Sequence, residues 1–417
     1  EMCIRDRFKL RGSWGELGNQ NTSNLYPFYE ILPVKSNSGN WLVNGGKTNT
    51  ADIPSLVSTL LTWERVRSFN VGFDFGAFSN RLTGSFDYFV RKTVDMVGPA
   101  PQLPLVLGIA PAIVNNADMK SYGFEIELSW RDRIGEVDYG VKFNLADAQQ
   151  KVVKYPNTTN AFSDWYAGKM SGEIWGYTSL GIAKTDEEMK EHLASLPNGG
   201  QNQLGNKWGA GDIMYADING DGKVDGGKGT LADPGDQRII GNSTPRYNFG
   251  LVLDASYKGF DVSIFFQGVG KRDYAPIVGT NGAVFWGAVN NIWQSMAMEE
   301  HFDYFRPEGH PMGANLNGYY PRPDFTSNKN HQVQTRYLQD ASYIRLKNLQ
   351  IGYTLPKQWI NKLHINRCRV YVSGDNLWTG TSLASMFDPE TLAAGDWGSG
   401  KTYPLSKVIS FGLNVNF

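Results

Sequence analysis

Hydrophobic and polar residues alternate along most of this chain with a period of two. In FNVGFDFGAF the apolar set is Phe69, Val71, Phe73 and Phe75, set against Asn70, Gly72, Asp74 and Gly76. In SYGFEIELSW it is Tyr122, Phe124, Ile126, Leu128 and Trp130, against Gly123, Glu125, Glu127 and Ser129. Val137, Tyr139, Val141, Phe143 and Leu145 repeat the pattern against Asp138, Gly140, Lys142 and Asn144. Successive side chains of a strand point to opposite faces, so such segments read as antiparallel strands with one wet face. Further runs lie at Phe8 to Gly15, 81–92, Tyr247 to Tyr257, Phe260 to Phe266, Tyr343 to Leu355, Cys368 to Asp375 and Ile409 to Phe417, which makes ten strands.

Alternation is shared by soluble sandwiches and membrane barrels; strand length and loop order separate them. Many of these runs reach ten residues, against about five or six for an ordinary strand and about nine to eleven for a tilted membrane strand. Their connections alternate too. Tight turns are expected at Ser79 and Asn80, at Asp132 to Glu136, at Lys258 and Gly259 and in LPKQWINKLHI, and long loops at 93–120, 149–245, 269–341 and 377–404. Short turns on one side and long loops on the other predict an all-β fold, a transmembrane antiparallel β-barrel of outer-membrane type, here about ten strands of it. The last strand then runs toward the short-turn side. Trp130, Tyr257, Phe260, Tyr343, Tyr353 and Phe417 lie near strand ends, where aromatic girdles form. One short helix is expected, in DEEMKEHLASL at 186–196 inside the longest loop.

Composition narrows the partners. A net charge of −1 argues against nucleic acid, and no apolar run is long enough for a transmembrane helix. Two cysteines give no disulfide framework. The first seven residues, EMCIRDR, stand out of register with the strand that follows. Met2 to Arg7 are encodable by ATG TGT ATA AGA GAC AGN, which contains the transposon mosaic end used to prepare sequencing libraries. Residues 1–7 are therefore expected to derive from an adapter, with Cys3 not native and native sequence continuing upstream.

The longest loop carries DINGDGKVDGGKGTLADPGDQRIIGN at 217–242. Asp217, Asn219, Asp221, Gly222 and Asp225 fall on positions 1, 3, 5, 6 and 9 of a calcium loop, and Lys223 offers its backbone carbonyl at position 7. Lys228 stands at position 12, where such a loop needs a carboxylate, so the sixth ligand is expected from Asp236 or Asp233 beyond the GGKGTLADPG insertion. Structural binding of calcium (Ca2+) is the expectation; a metal-free turn is the alternative, because Asn-Gly and Asp-Gly turn unaided. Catalytic patterns are missing. His192, His301, His310, His331 and His364 lack metal-ligand spacing, and neither a nucleophile elbow nor a phosphate-cradling loop occurs. Glu125 and Glu127, two apart on a strand, read as a solvated lumen face, and no enzyme is expected.

Several segments together resemble the C-terminal half of the SusC/RagA family of TonB-linked outer-membrane transporters of Bacteroidota. They are RGSWGELGNQN, GDIMYADINGDGKVD, QRIIGNSTPRYNFGLVLDASYKGFDVSIFFQGVG, ASYIRLKNLQIGYTLPKQW, RVYVSGDNLWT, FDPE and the terminal VISFGLNVNF. The resemblance covers Leu10 to Phe417, and residues 8–417 are assigned to the barrel. It implies TonB-driven import of oligosaccharides or peptides across the outer membrane, through a barrel of about 22 strands around a plug. It further implies a SusD-like surface lipoprotein over the long loops, a TonB partner engaged through upstream sequence, and a C-terminal β-signal ending at Phe417 that the barrel-assembly machinery reads. The signal peptide, TonB box, plug and first barrel strands are expected upstream. The rival reading is a secreted β-rich, calcium-stabilised carbohydrate-binding module or hydrolase.

Overall fold

The computed structural model describes residues 7–20, 28–54, 56–100, 106, 108–109, 111–276, 283–287, 298–324, 328–360, 364–392 and 402–417. Met2 and Cys3 lie outside them. Ten strands form one antiparallel sheet in chain order: β1 (Arg7–Asn19), β2 (Glu64–Ala77), β3 (Leu82–Val97), β4 (Asn115–Ile134), β5 (Val137–Lys154), β6 (Arg246–Tyr257), β7 (Phe260–Lys271), β8 (Tyr343–Thr354), β9 (Arg367–Thr381) and β10 (Val408–Asn416). Each predicted strand is present, and most run several residues further toward the long loops. The β4–β5 turn shrinks to Gly135 and Glu136, because pairing continues to Ile134 and Val137. Lys258 and Gly259 both take positive φ, 45° and 89°, as a two-residue hairpin of the right twist requires. All four tight connections lie at one end of the sheet and all five long ones at the other. β1 and β10 form its two edges.

Register separates the faces. Leu10, Phe73, Phe86, Ile126, Leu145 and Phe249 stand side by side on six neighbouring strands, an apolar row facing outward. The other face is polar and cross-linked. Arg11 reaches Asp74 on β2 at 2.8 Å and Asp87 on β3 at 2.7 Å, and Arg369 on β9 pairs with Asp261 on β7. A fold that buried this face in an apolar core would not tolerate that row of charge; the polar face is the one that would line the lumen of a barrel.

One expected girdle residue is misplaced. Trp130, Tyr257, Phe260 and Tyr353 do sit at the short-turn end, with Phe260 and Tyr353 in ring contact at 4.5 Å, whereas Tyr343 is buried at the long-loop end. The cause is a bulge. Phe265 pairs with Asn348 but Phe266 with Leu346, leaving Lys347 as an extra residue in β8. One inserted residue exchanges the faces of everything beyond it, which turns Tyr343 and Arg345 toward the lumen.

The fold's buried core lies in the long loops. Tyr177, Ile213 and Tyr215 from the β5–β6 loop pack with Phe285, Trp286, Tyr320 and Tyr337 from the β7–β8 loop and with Leu383 and Phe387 from the β9–β10 loop. Aromatic rings dominate it, as in Trp286 against Tyr337 at 4.8 Å. The expected helix forms as α1 (Asp186–Ala194), capped by Thr185, whose side chain accepts from Glu188 N.

Candidate functional site

The acidic loop sits in this loop dome. Asp217 closes a tight turn, Oδ1 accepting from Gly220 N at 2.7 Å and Oδ2 from Gly222 N at 2.8 Å. Gly220 and Gly222 have φ of 77° and 80°, a conformation open to glycine, and a Cβ on Gly222 would meet Asn198 at 2.9 Å. Asn219 Oδ1 accepts from Asp221 N at 2.9 Å, and Asp221 Oδ1 from Lys223 N at 3.1 Å. Asp236 is fully buried. Its Oδ1 accepts from Ile218 N at 2.7 Å and its Oδ2 from Asp225 N at 2.8 Å, so of the two residues beyond the insertion it is Asp236 that reaches back to the loop. Asp233 instead serves the insertion, its backbone oxygen accepting from Lys228 N and Thr230 N.

Electrostatics in the loop are mixed. Burial raises the Asp236 carboxyl above its ordinary value, against the pull of its backbone hydrogen bonds. A hydrogen bond from Lys223 holds Asp225 below its ordinary value; Lys223 Nζ lies 2.5 Å from Asp225 Oδ2 and 3.8 Å from Asp221 Oδ2. Donor types therefore suit a hard cation, with Asp217, Asn219, Asp221, the Lys223 carbonyl, Asp225 and Asp236 as the oxygen set. Their arrangement is that of a self-closed turn. The carboxylates hold backbone amides, and among the described residues no group of three or more His, Cys, Asp or Glu side chains is gathered closely enough to hold a metal.

Two buried polar knots fix the dome, and neither was visible in the sequence. Asp212, fully buried, accepts from Arg322 at 2.7 Å, Lys329 Nζ at 2.9 Å and Asn330 at 2.9 Å, which ties the β5–β6 loop to the β7–β8 loop. Arg345 on β8, turned inward by the bulge, reaches Asp388 and Glu390 at 2.8 Å each, and Lys347 reaches Glu390 at 2.6 Å, tying down the β9–β10 loop. The pairs are more than 40 residues apart in sequence, so no local pattern announces them. Below the dome the lumen face forms a hollow of about 620 Å³ lined by Asp74, Ser85, Glu127, Lys142 and Asn144 among others. It offers mixed charge and hydroxyl groups, suited to holding polar molecules.

The whole chain has relatives. A family model described as TonB dependent receptor-like, beta-barrel, matches residues 4–377. TonB-dependent receptor P3 of Formosa agariphila is 28% identical over 440 residues, covering 98% of this chain and 39% of that protein. TonB-dependent receptor SusC of Bacteroides thetaiotaomicron is 21% identical, covering 100% of this chain and 38% of that protein. Among solved structures, that of the RagAB peptide transporter superposes with a TM-score of 0.70 at 23% identity, over 98% of this chain and 41% of that one. The chain thus spans about two fifths of the length of the relatives it matches. These relatives are receptors and transporters, not enzymes.

Proposed function

Since this chain belongs to the TonB-dependent receptor β-barrel family, we propose that it forms the wall and outer mouth of an importer that moves oligosaccharides or peptides across the outer membrane under TonB drive. The observation that carries this reading is the sheet itself: ten strands with an apolar outer face, a polar inner face, tight turns at one end and a folded dome of long loops at the other. Cargo is bound, occluded and released without covalent change. Polar side chains of the lumen face contact it, and a SusD-like surface lipoprotein covers the dome. Deleting the gene in its host and following uptake of labelled oligosaccharide and peptide mixtures tests this: loss of one class, restored by the full-length gene, is expected, and unchanged uptake of both rejects it.

The acidic loop has its own role in this reading. Asp217, Asn219, Asp221, Asp225, Asp236 and the Lys223 carbonyl are the groups that would hold a calcium ion, which would serve there as a structural brace of the dome. Support comes from the oxygen donors on alternate positions and from the buried Asp236 beside them.

A further inference from the structure

Near the long-loop end of the sheet, Arg67 on β2, Lys92 on β3, Lys120 on β4 and Lys151 on β5 are direct cross-strand partners in one unbroken row. Partners in an antiparallel ladder share a face, and like charges placed directly opposite one another are destabilising. The face is the outer, apolar one. Two residues nearer the middle of the sheet, about 7 Å along the strands, the same four strands carry Phe69, Val90, Tyr122 and Gln149, with Trp14 of β1 beside Phe69. The row thus stands on the rim of the apolar belt.

Its charge is only partly answered. Arg67 meets Glu16 at 2.7 Å and Lys92 lies 3.9 Å from Asp118, while Lys120 stands over the Tyr122 ring at 5.2 Å. No ion pair is formed by Lys120 or Lys151 among the described residues. Four cations face two carboxylates, so two positive charges are left over beside hydrocarbon, where water and salt screen them poorly.

Resting on the outer-membrane reading above, we propose that this row is a binding site for the phosphate-bearing headgroup of an outer-leaflet lipid. The long-loop end faces outward in that reading, which sets the row at the level of the outer leaflet's headgroups. A ligand with acyl chains and phosphate fits both halves of the surface. Its chains lie along Phe69, Val90 and Tyr122, and its phosphate oxygens accept from Lys92, Lys120 and Lys151 and cancel their mutual repulsion.

The test uses the full-length protein purified in detergent, with lipid A carrying phosphate and the same lipid with phosphate removed as probes. Native mass spectrometry counts retained lipid, and a thermal melt follows stability. Wild type should retain the phosphorylated form at least tenfold better, and a K92Q/K120Q/K151Q variant should retain both forms alike. Without lipid the variant should melt no lower than wild type, because repulsion has been removed; with phosphorylated lipid only wild type should gain. Equal retention by wild type and variant, or no preference for phosphate, overturns the site. Outer-membrane fractionation and heat-modifiability of the same samples separate the causes: a heat-modifiable outer-membrane protein without phosphate preference sinks this proposal alone, whereas failure to fractionate there sinks the membrane reading with it.

Discussion

Asp236 shows how one buried carboxyl couples the dome to pH. Burial raises its pKa in the folded protein, so the folded state holds this proton more tightly than the unfolded chain. That contribution to stability is complete below the unfolded value and is lost as pH rises through the folded one. In the proposed calcium site the ion would need the Asp236 carboxylate, so protons would compete with it. Calorimetry on the full-length protein should show uptake with proton release, weakening as pH falls through the raised value, and near-complete loss in Asp221→Ala; equal uptake by both proteins contradicts the assigned ligands. Asp212 is a different case. Asp212→Ala leaves Lys329 buried with less compensation, at a cost of about 3–5 kcal/mol for breaking such a pair. Limited proteolysis should then cut the dome readily while the strands stay resistant, and an unchanged digestion pattern would show that the knot does not hold the dome. The turn from Asp217 to Asp225 was open to reading in the sequence, since the spacing of a calcium-type loop is local. The sequence hid Asp212 and Arg345, whose partners are brought near only by tertiary folding.

Strands were the most legible elements, because an outer face in lipid and an inner face in water impose the same alternation on each of them. The bulge at Lys347 was not legible: a one-residue slip has no composition of its own, and it misassigned Tyr343. Dome packing was hidden for a related reason. Aromatic residues such as Trp286 and Tyr320 lie in irregular segments without a period to read. β10 allows a direct test of element function. Ile409, Phe411 and Leu413 are exposed along its outer edge, and Phe417 follows the strand fully accessible, 84% exposed. Deleting Phe417 should lower the heat-modifiable folded species in outer membranes several-fold; unchanged levels would remove the case for an assembly signal.

Ten strands leave a sheet with two long edges, and each unpaired backbone group on them costs several kcal/mol in hydrocarbon. Closing the ten on themselves would instead force Asp74, Glu125, Glu127 and Lys142 into a narrow interior. Residues Leu10 to Phe417 expressed alone should therefore aggregate on refolding in detergent, and a monodisperse heat-modifiable monomer would mean that they are a complete small barrel. The orientation of the sheet is the claim on which import, lipid contact and dome all depend. It is tested most directly by placing single cysteines in the full-length protein, in a Cys368→Ser background, and labelling intact cells with a large impermeant maleimide. Leu231→Cys in the dome should label on intact cells, and Lys258→Cys in the β6–β7 turn only after the outer membrane is opened. Labelling of Lys258→Cys from outside, or equal labelling of both before the membrane is opened, would contradict the account.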